Sequence, residues 1–239
     1  MSDSQNSSAG GNGFHPLSSA TTEGDYTLRR QAMVERQLRK RGIRDERVLA
    51  AMLSVPRHEF VPPELAGEAY DDRPLAIGHE QTISQPFMVA AMAEALQLSG
   101  SERVLEIGAG SGYQAAVLSL LAREVQTVET QEALAVSSRE RLRRLGYDNV
   151  RVHVGDGTLG LADQAPFDAI VVTAAAPEIP PPLVTQLAEG GRLLLPVGTA
   201  EEQRLLRVEK RGGELSTRPL HHCRFVPLIG QYGWKPSGG

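Results

Sequence analysis

The sequence predicts an α/β protein built on a doubly wound, mostly parallel sheet. Short apolar runs alternate with helical stretches between residues 103 and 197, a glycine-rich turn follows the first run, and acids stand at the ends of the first three. Strands alternating with helices at this spacing form βαβ units, which cover both faces of a parallel sheet.

The elements follow in chain order. Nine of the first 20 residues are Ser or Gly. Such a tract cannot bury enough apolar surface to offset its ordering entropy, so 1–23 is expected to be a disordered extension. Between Leu28 and Arg41, the residues Leu28, Ala32, Met33 and Leu38 make a helical stripe that Gly42 ends. Asp45 can cap a second helix through Leu53, which Pro56 stops, and Pro62-Pro63-Glu64-Leu65 suggests a turn or short helix. Residues 24–80 therefore read as a helical lead-in with no parallel-strand signature. A helix rich in Ala, Met and Leu is expected over 86–98, closed by Gly100.

Strands are expected at 103–107, 124–129, 150–154, 167–173 and 191–197, with helices at 113–122, 131–145 and 183–187 between them. The tail changes texture. Residues 203–210, the turn Arg211-Gly212-Gly213-Glu214 and the stretch from Leu215 read as an antiparallel hairpin, and 225–229 as a last strand. The order of the final strands stays open.

In an open α/β sheet, ligands bind beyond the carboxyl ends of the strands, where strand order reverses. The first strand ends in Glu106 and enters Gly108-x-Gly110-x-Gly112. Glycines let the chain turn tightly and let a ligand approach the backbone. A dinucleotide fingerprint needs a further glycine where Tyr113 stands. Glu106 would also repel a pyrophosphate, whereas it suits a cofactor carrying a sulfonium and an amino acid. Glu129 closes the second strand and can accept both hydroxyl protons of a ribose. Asp156, followed by Gly157, can accept a hydrogen bond from the exocyclic amine of adenine. This set resembles the class I S-adenosylmethionine-dependent methyltransferases, which implies a Rossmann-like sheet and S-adenosyl-L-methionine as cofactor.

A second segment narrows the reading. Pro74-Leu75-Ala76-Ile77-Gly78-His79-Glu80-Gln81-Thr82-Ile83-Ser84-Gln85-Pro86-Phe87-Met88 resembles the protein-L-isoaspartate (D-aspartate) O-methyltransferase family, and further matches bring the likeness to roughly 27–229. Among them are 104–112, Gly155-Asp156-Gly157, 167–180, Gly190-Gly191-Arg192 and Arg224-Phe225-Val226-Pro227-Leu228. The resemblance implies a single methyltransferase domain over 24–239. It also implies methyl transfer to the α-carboxylate of L-isoaspartyl (and D-aspartyl) residues in damaged proteins and peptides, by a monomer.

The chemistry asks little of the protein. A carboxylate nucleophile is already ionised at neutral pH, so desolvation, aim and exclusion of water matter more than a strong base. The resemblance makes Ser84 the active-site residue, able to donate one hydrogen bond to that carboxylate. Capping of the helix near Pro86 is the alternative role for Ser84. Thr82 and Ile83 would line the same pocket, with Thr82 meeting the cofactor. In the loop over 174–180, Ala175 and Pro177 would leave room for a peptide, although a rigid connector explains them equally. Val226 would supply the remaining wall. Two rivals stay open: a methyltransferase for a small metabolite or RNA, and a non-catalytic S-adenosylmethionine-binding module.

Composition excludes other classes. A net charge of -4 and a pI of about 5.9 give no global attraction to nucleic acid or anionic membrane. The single Cys223 rules out an intrachain disulfide and a multi-thiolate metal site, which suits the cytoplasm. No apolar run approaches the roughly 18 residues that span a bilayer, and no secretory signal is expected. His221 and Cys223 would share a strand face, but no further ligand completes a metal site. His58 and His79 read as surface or hinge residues, and the arginines of 29–41 and 139–144 as solvated helix faces.

Overall fold

The computed structural model describes residues 22–235. The extension expected over 1–23 lies outside them except for Thr22 and Glu23, which open the first helix. There the Asp25 N–H donates to Thr22 Oγ1 while the Thr22 N–H donates to the Asp25 carboxylate, a reciprocal cap. Helix α1 (Glu23–Met33) continues through a π turn and a 3-10 turn to Gly42, whose φ of 103° ends it. Helix α2 (Glu46–Ser54) begins at Asp45, whose carboxylate accepts from the Arg47 and Val48 N–H groups.

The lead-in is not purely helical. Strands β1 (Leu75–Gly78) and β2 (Gln81–Ile83) form an antiparallel hairpin, with Leu75 opposite Ile83. His79 and Glu80 at its tip take left-handed φ values of 51° and 58°. Strands of four and three residues carry too little alternation to be recognised, and the tip lacks the usual Asn-Gly or Asp-Gly signal. Helix α3 (Pro86–Leu96) then ends at left-handed Gln97, before the expected Gly100.

The main sheet contains β3 (Arg103–Ile107), β4 (Glu124–Glu129), β5 (Val150–Val154), β6 (Phe167–Val172), β7 (Leu187–Gly198), β8 (Gln203–Arg211) and β9 (Glu214–Cys223). Its order is β5-β4-β3-β6-β7-β8-β9, parallel from β5 to β7 and antiparallel beyond. The doubly wound, mostly parallel sheet with an antiparallel C-terminal hairpin is therefore present, and β8 lies between β7 and β9. Helices α4 (Tyr113–Ser119), α5 (Glu132–Arg144) and α6 (Pro181–Thr185) cross its faces.

Two expectations fail locally. Leu187, expected in a helix, starts β7 and pairs with Phe167. Residues 225–229 form no strand: Pro227 makes only an isolated bridge to Ala175. That bridge is held by the Ala175 N–H donating to the Val226 carbonyl and the Leu228 N–H donating to the Ala175 carbonyl.

Alternation along the strands divides the core in two. Val104, Ala169 and Val171 pack with the N-terminal helices, whereas Leu105, Ile107, Ile170 and Val172 pack with Leu183 of α6. The chain runs outward through β3, β4 and β5, then returns to place β6 on the other side of β3. That reversal opens a crevice beyond the carboxyl ends of β3 and β6.

Candidate active site

The crevice is lined from three sides. Gly108 and Gly110 follow β3, Glu129 and Gln131 stand at and just beyond the end of β4, and Thr173 and Ala174 follow β6. The hairpin supplies Thr82 and Ile83, and Ser84 comes just after it. Val226 and its neighbours through Ile229 close the remaining side.

The glycine turn is built for close approach. Gly108, Gly110 and Gly112 all have positive φ, at 95°, 51° and 88°. Thr173 Oγ1 donates to the Gly108 and Ile107 carbonyls, at 2.8 and 3.0 Å, and locks the turn to β6. Gly112 faces away from the crevice and meets Leu142 and Ser138 of α5, so its role is helix packing.

Glu129 is buried, and its carboxylate accepts from the Gly110 N–H at 2.9 Å and the Gln131 N–H at 3.0 Å. Each oxygen retains a lone pair for a hydroxyl donor. Glu106 behaves differently from what the sequence suggests. It is fully buried within the sheet rather than on the crevice wall, with Oε2 accepting from the Thr127 hydroxyl at 2.6 Å and Oε1 unpartnered. Burial pushes its carboxyl up to about 8, with the Glu129 charge adding to the rise and the Thr127 bond opposing it.

Asp156 sits at the junction of the β5 end and the tail. Its Oδ1 accepts from the Thr158 N–H and hydroxyl and its Oδ2 from the Gln231 N–H, which anchors the tail. Neither Asp156 nor Gly157 lines the crevice; a side chain on Gly157 would collide with Ile107. In the 174–180 loop Ala174 lines the crevice, Ala175 is buried and bonded to Val226 and Leu228, and Pro177 is exposed outside the crevice lining. Three successive small residues at a strand end alternate in direction, and which one faces the ligand depends on register.

Ser84 is half-buried on the crevice wall, and the cap of α3 is Gln85 with no side-chain bond, so helix capping does not account for Ser84. Thr82 and Ser84 also border an adjoining groove with Pro74, Met88, His222 and Arg224. The crevice thus has a polar, glycine-walled end and an open end leading to a surface groove.

A family model described as protein-L-isoaspartate(D-aspartate) O-methyltransferase matches residues 28–233. The chain belongs to this family. It is 58% identical to the protein-L-isoaspartate O-methyltransferase of Roseiflexus castenholzii, over 88% of this chain and 96% of that one. It is 57% identical to the enzyme of that name from Methanoculleus marisnigri, over 86% and 94%. Among solved structures, a Plasmodium falciparum protein-L-isoaspartate O-methyltransferase in complex with S-adenosyl-L-homocysteine superposes with a TM-score of 0.71 at 29% identity, covering 84% of this chain and 98% of that one.

The isoaspartyl methyltransferase family membership agrees with the resemblance read from 74–88, and the crevice fits S-adenosylmethionine. Two glycines leave the backbone open on its wall, and a buried carboxylate stands at the next strand end.

Sequence reasoning missed Gln131 and Thr173. Both lie just past parallel strands, a position that the general rule for such crevices singles out. His58 was expected at the surface or a hinge. It is buried, stacked on Tyr26 with ring centroids 3.9 Å apart and bonded through Nδ1 to the Tyr70 hydroxyl. Among the described residues no helix is long and apolar enough to cross a membrane, and no cluster of potential metal ligands forms.

Proposed function

We infer that this crevice transfers a methyl group from S-adenosylmethionine to the α-carboxylate of L-isoaspartyl residues in damaged proteins and peptides. The observation that carries the reading is the meeting of two walls: Ser84 and Thr82 border the same crevice as Gly108, Gly110 and Glu129. A donor end and an acceptor end share one space.

When bound, S-adenosylmethionine supplies a sulfonium methyl that a carboxylate oxygen can take up without net proton transfer. Glu129 would hold the ribose, and the backbone at Gly108 and Gly110 would border the amino-acid portion. Ser84 would donate a hydrogen bond to the acceptor carboxylate, fixing its aim, while Ile83 and Val226 exclude water. Thr82 would touch both partners, since it borders both the crevice and the adjoining groove. No group on the wall needs to act as a strong base, because the nucleophile is already an anion.

The groove running from Thr82 to Arg224 gives a peptide chain room on either side of the damaged residue. A lone cysteine, half-buried and unpaired among the described residues, is compatible with a reducing compartment such as the cytoplasm, and a monomer is the state that this reading takes. Matched peptides differing only in L-isoaspartate versus L-aspartate test the function directly. Methyl labelling confined to the isoaspartyl peptide is expected; equal labelling would overturn it.

A further inference from the structure

Arg57 heads the largest fully buried side chains, with no exposed surface at all. It lies in the 3-10 turn after α2, far in sequence from every residue of the crevice. Its Nε donates to the Ala69 carbonyl at 2.7 Å, and one terminal nitrogen donates to the Ser84 carbonyl, also at 2.7 Å. The other terminal nitrogen has no partner. No carboxylate stands within ion-pair distance among the described residues. The guanidinium carbon instead lies over the Tyr113 ring, 4.7 Å from its centroid.

A buried cation without a counter-ion is costly, and tying two carbonyls together does not require a charge. Two of these three contacts lead to the crevice. Ser84 belongs to the acceptor end, and Tyr113 is the residue that closes the glycine turn of the donor end and lines the crevice. The cation therefore bridges the two walls from behind.

We propose that Arg57 is a positioning residue for methyl transfer. It holds the Ser84 segment in register with the glycine turn, and its unneutralised charge favours an anionic acceptor beside Ser84. This rests on the function inferred above, in which the acceptor is a carboxylate. The guanidinium touches neither substrate nor cofactor and acts through the Ser84 peptide group. A donor on that carbonyl also polarises the peptide unit joining Ser84 to Gln85.

The test uses the full chain as wild type, Arg57→Met and Arg57→Lys, with an isoaspartyl peptide as acceptor and S-adenosylhomocysteine as the probe of cofactor binding. Arg57→Met keeps apolar bulk but loses charge and both hydrogen bonds. Its kcat should fall up to about 100-fold, the scale on which small misplacements of reacting groups are felt. The peptide KM should rise about tenfold, while S-adenosylhomocysteine affinity stays within about twofold. Arg57→Lys keeps the charge but replaces the rigid fork spanning the Ala69 and Ser84 carbonyls with a single ammonium that does not hold their spacing, so KM should recover while kcat stays low. Wild-type kcat and KM in Arg57→Met would overturn the proposal, as would a parallel loss of cofactor affinity and kcat in both variants. If Arg57→Met does not fold, Arg57→Lys decides alone, and a wild-type kcat there overturns the proposal. Wild-type protein that leaves the isoaspartyl peptide unlabelled overturns the proposed function and this inference together. Labelling by wild type beside an unaffected Arg57→Met overturns this inference only.

Discussion

Glu129 Oε2 accepts a hydrogen bond from the Gly110 N–H at 2.9 Å, so the acid ending β4 pins the glycine turn that follows β3. Its other oxygen accepts from the Gln131 N–H. Replacing one oxygen by an amide sets donor against donor at one of these sites. Glu129→Gln should weaken cofactor binding by about 10- to 100-fold, from hydrogen bonds to a charged group of about 1.5–3 kcal/mol each. Calorimetry with S-adenosylhomocysteine checks this. An unchanged affinity would remove Glu129 from the cofactor site.

Ser84→Ala isolates the acceptor end. Its hydroxyl borders the crevice, and Gln85 rather than Ser84 caps α3. The single-turnover rate of methyl transfer should drop about 10- to 100-fold, less than the roughly 100- to 1000-fold seen when a donor to a developing oxyanion is lost, because the carboxylate is already charged before the reaction. Cofactor affinity and thermal midpoint should hardly move. A wild-type rate would leave Ser84 without a catalytic part.

Glu106 predicts a pH dependence of stability. Burial raises its carboxyl from 4.5 to about 8, so the folded protein retains a proton that the unfolded chain releases near 4.5. The contribution of Glu106 to stability is therefore complete below 4.5 and is lost as pH rises through about 8. Glu106→Gln mimics the neutral form at every pH. The thermal midpoint of the cofactor-free variant, relative to wild type, should rise between about pH 5 and 8.5. A difference that stays flat across that window would mean that Glu106 is ionised in the fold.

Gly108→Ala tests the turn. At a φ of 95° an added Cβ is strained, and it would collide with Thr173 Oγ1, which is itself bonded to the Gly108 carbonyl. A loss of about 1–3 kcal/mol of stability is expected, with cofactor binding lost as well. Denaturant unfolding and S-adenosylhomocysteine titration read the two effects. Full stability with full binding would show that the turn tolerates a side chain.

Much of this fold is legible in the sequence. β3, β4 and β5 occupy the ranges read from the sequence, because each is a short run rich in Val, Leu and Ile set between turn signals, and that pattern is local. The Asp45 cap and the left-handed Gly42 are equally local features. The hairpin over 75–83 was not legible, since its strands are too short to show a period and are ordered by packing. A Cβ on Gly110 would lie 3.5 Å from Ile77, and the Gln131 side chain donates to the His79 carbonyl at 3.2 Å.

The sequence by itself determined the βαβ order, the glycine turn, the acid at the end of β4 and the unusual segment around Ser84. These depend on residue type and spacing along the chain. Only the tertiary structure decided which side chains face the crevice. Glu106 turns into the sheet and Asp156 binds the tail, although both stand at strand ends, because direction at a strand end follows register and the neighbouring chain. Arg57 could not be found from sequence at all. Two of its contacts, Ser84 and Tyr113, are brought together only by the folded chain, and no local pattern marks a buried arginine that answers to no acid.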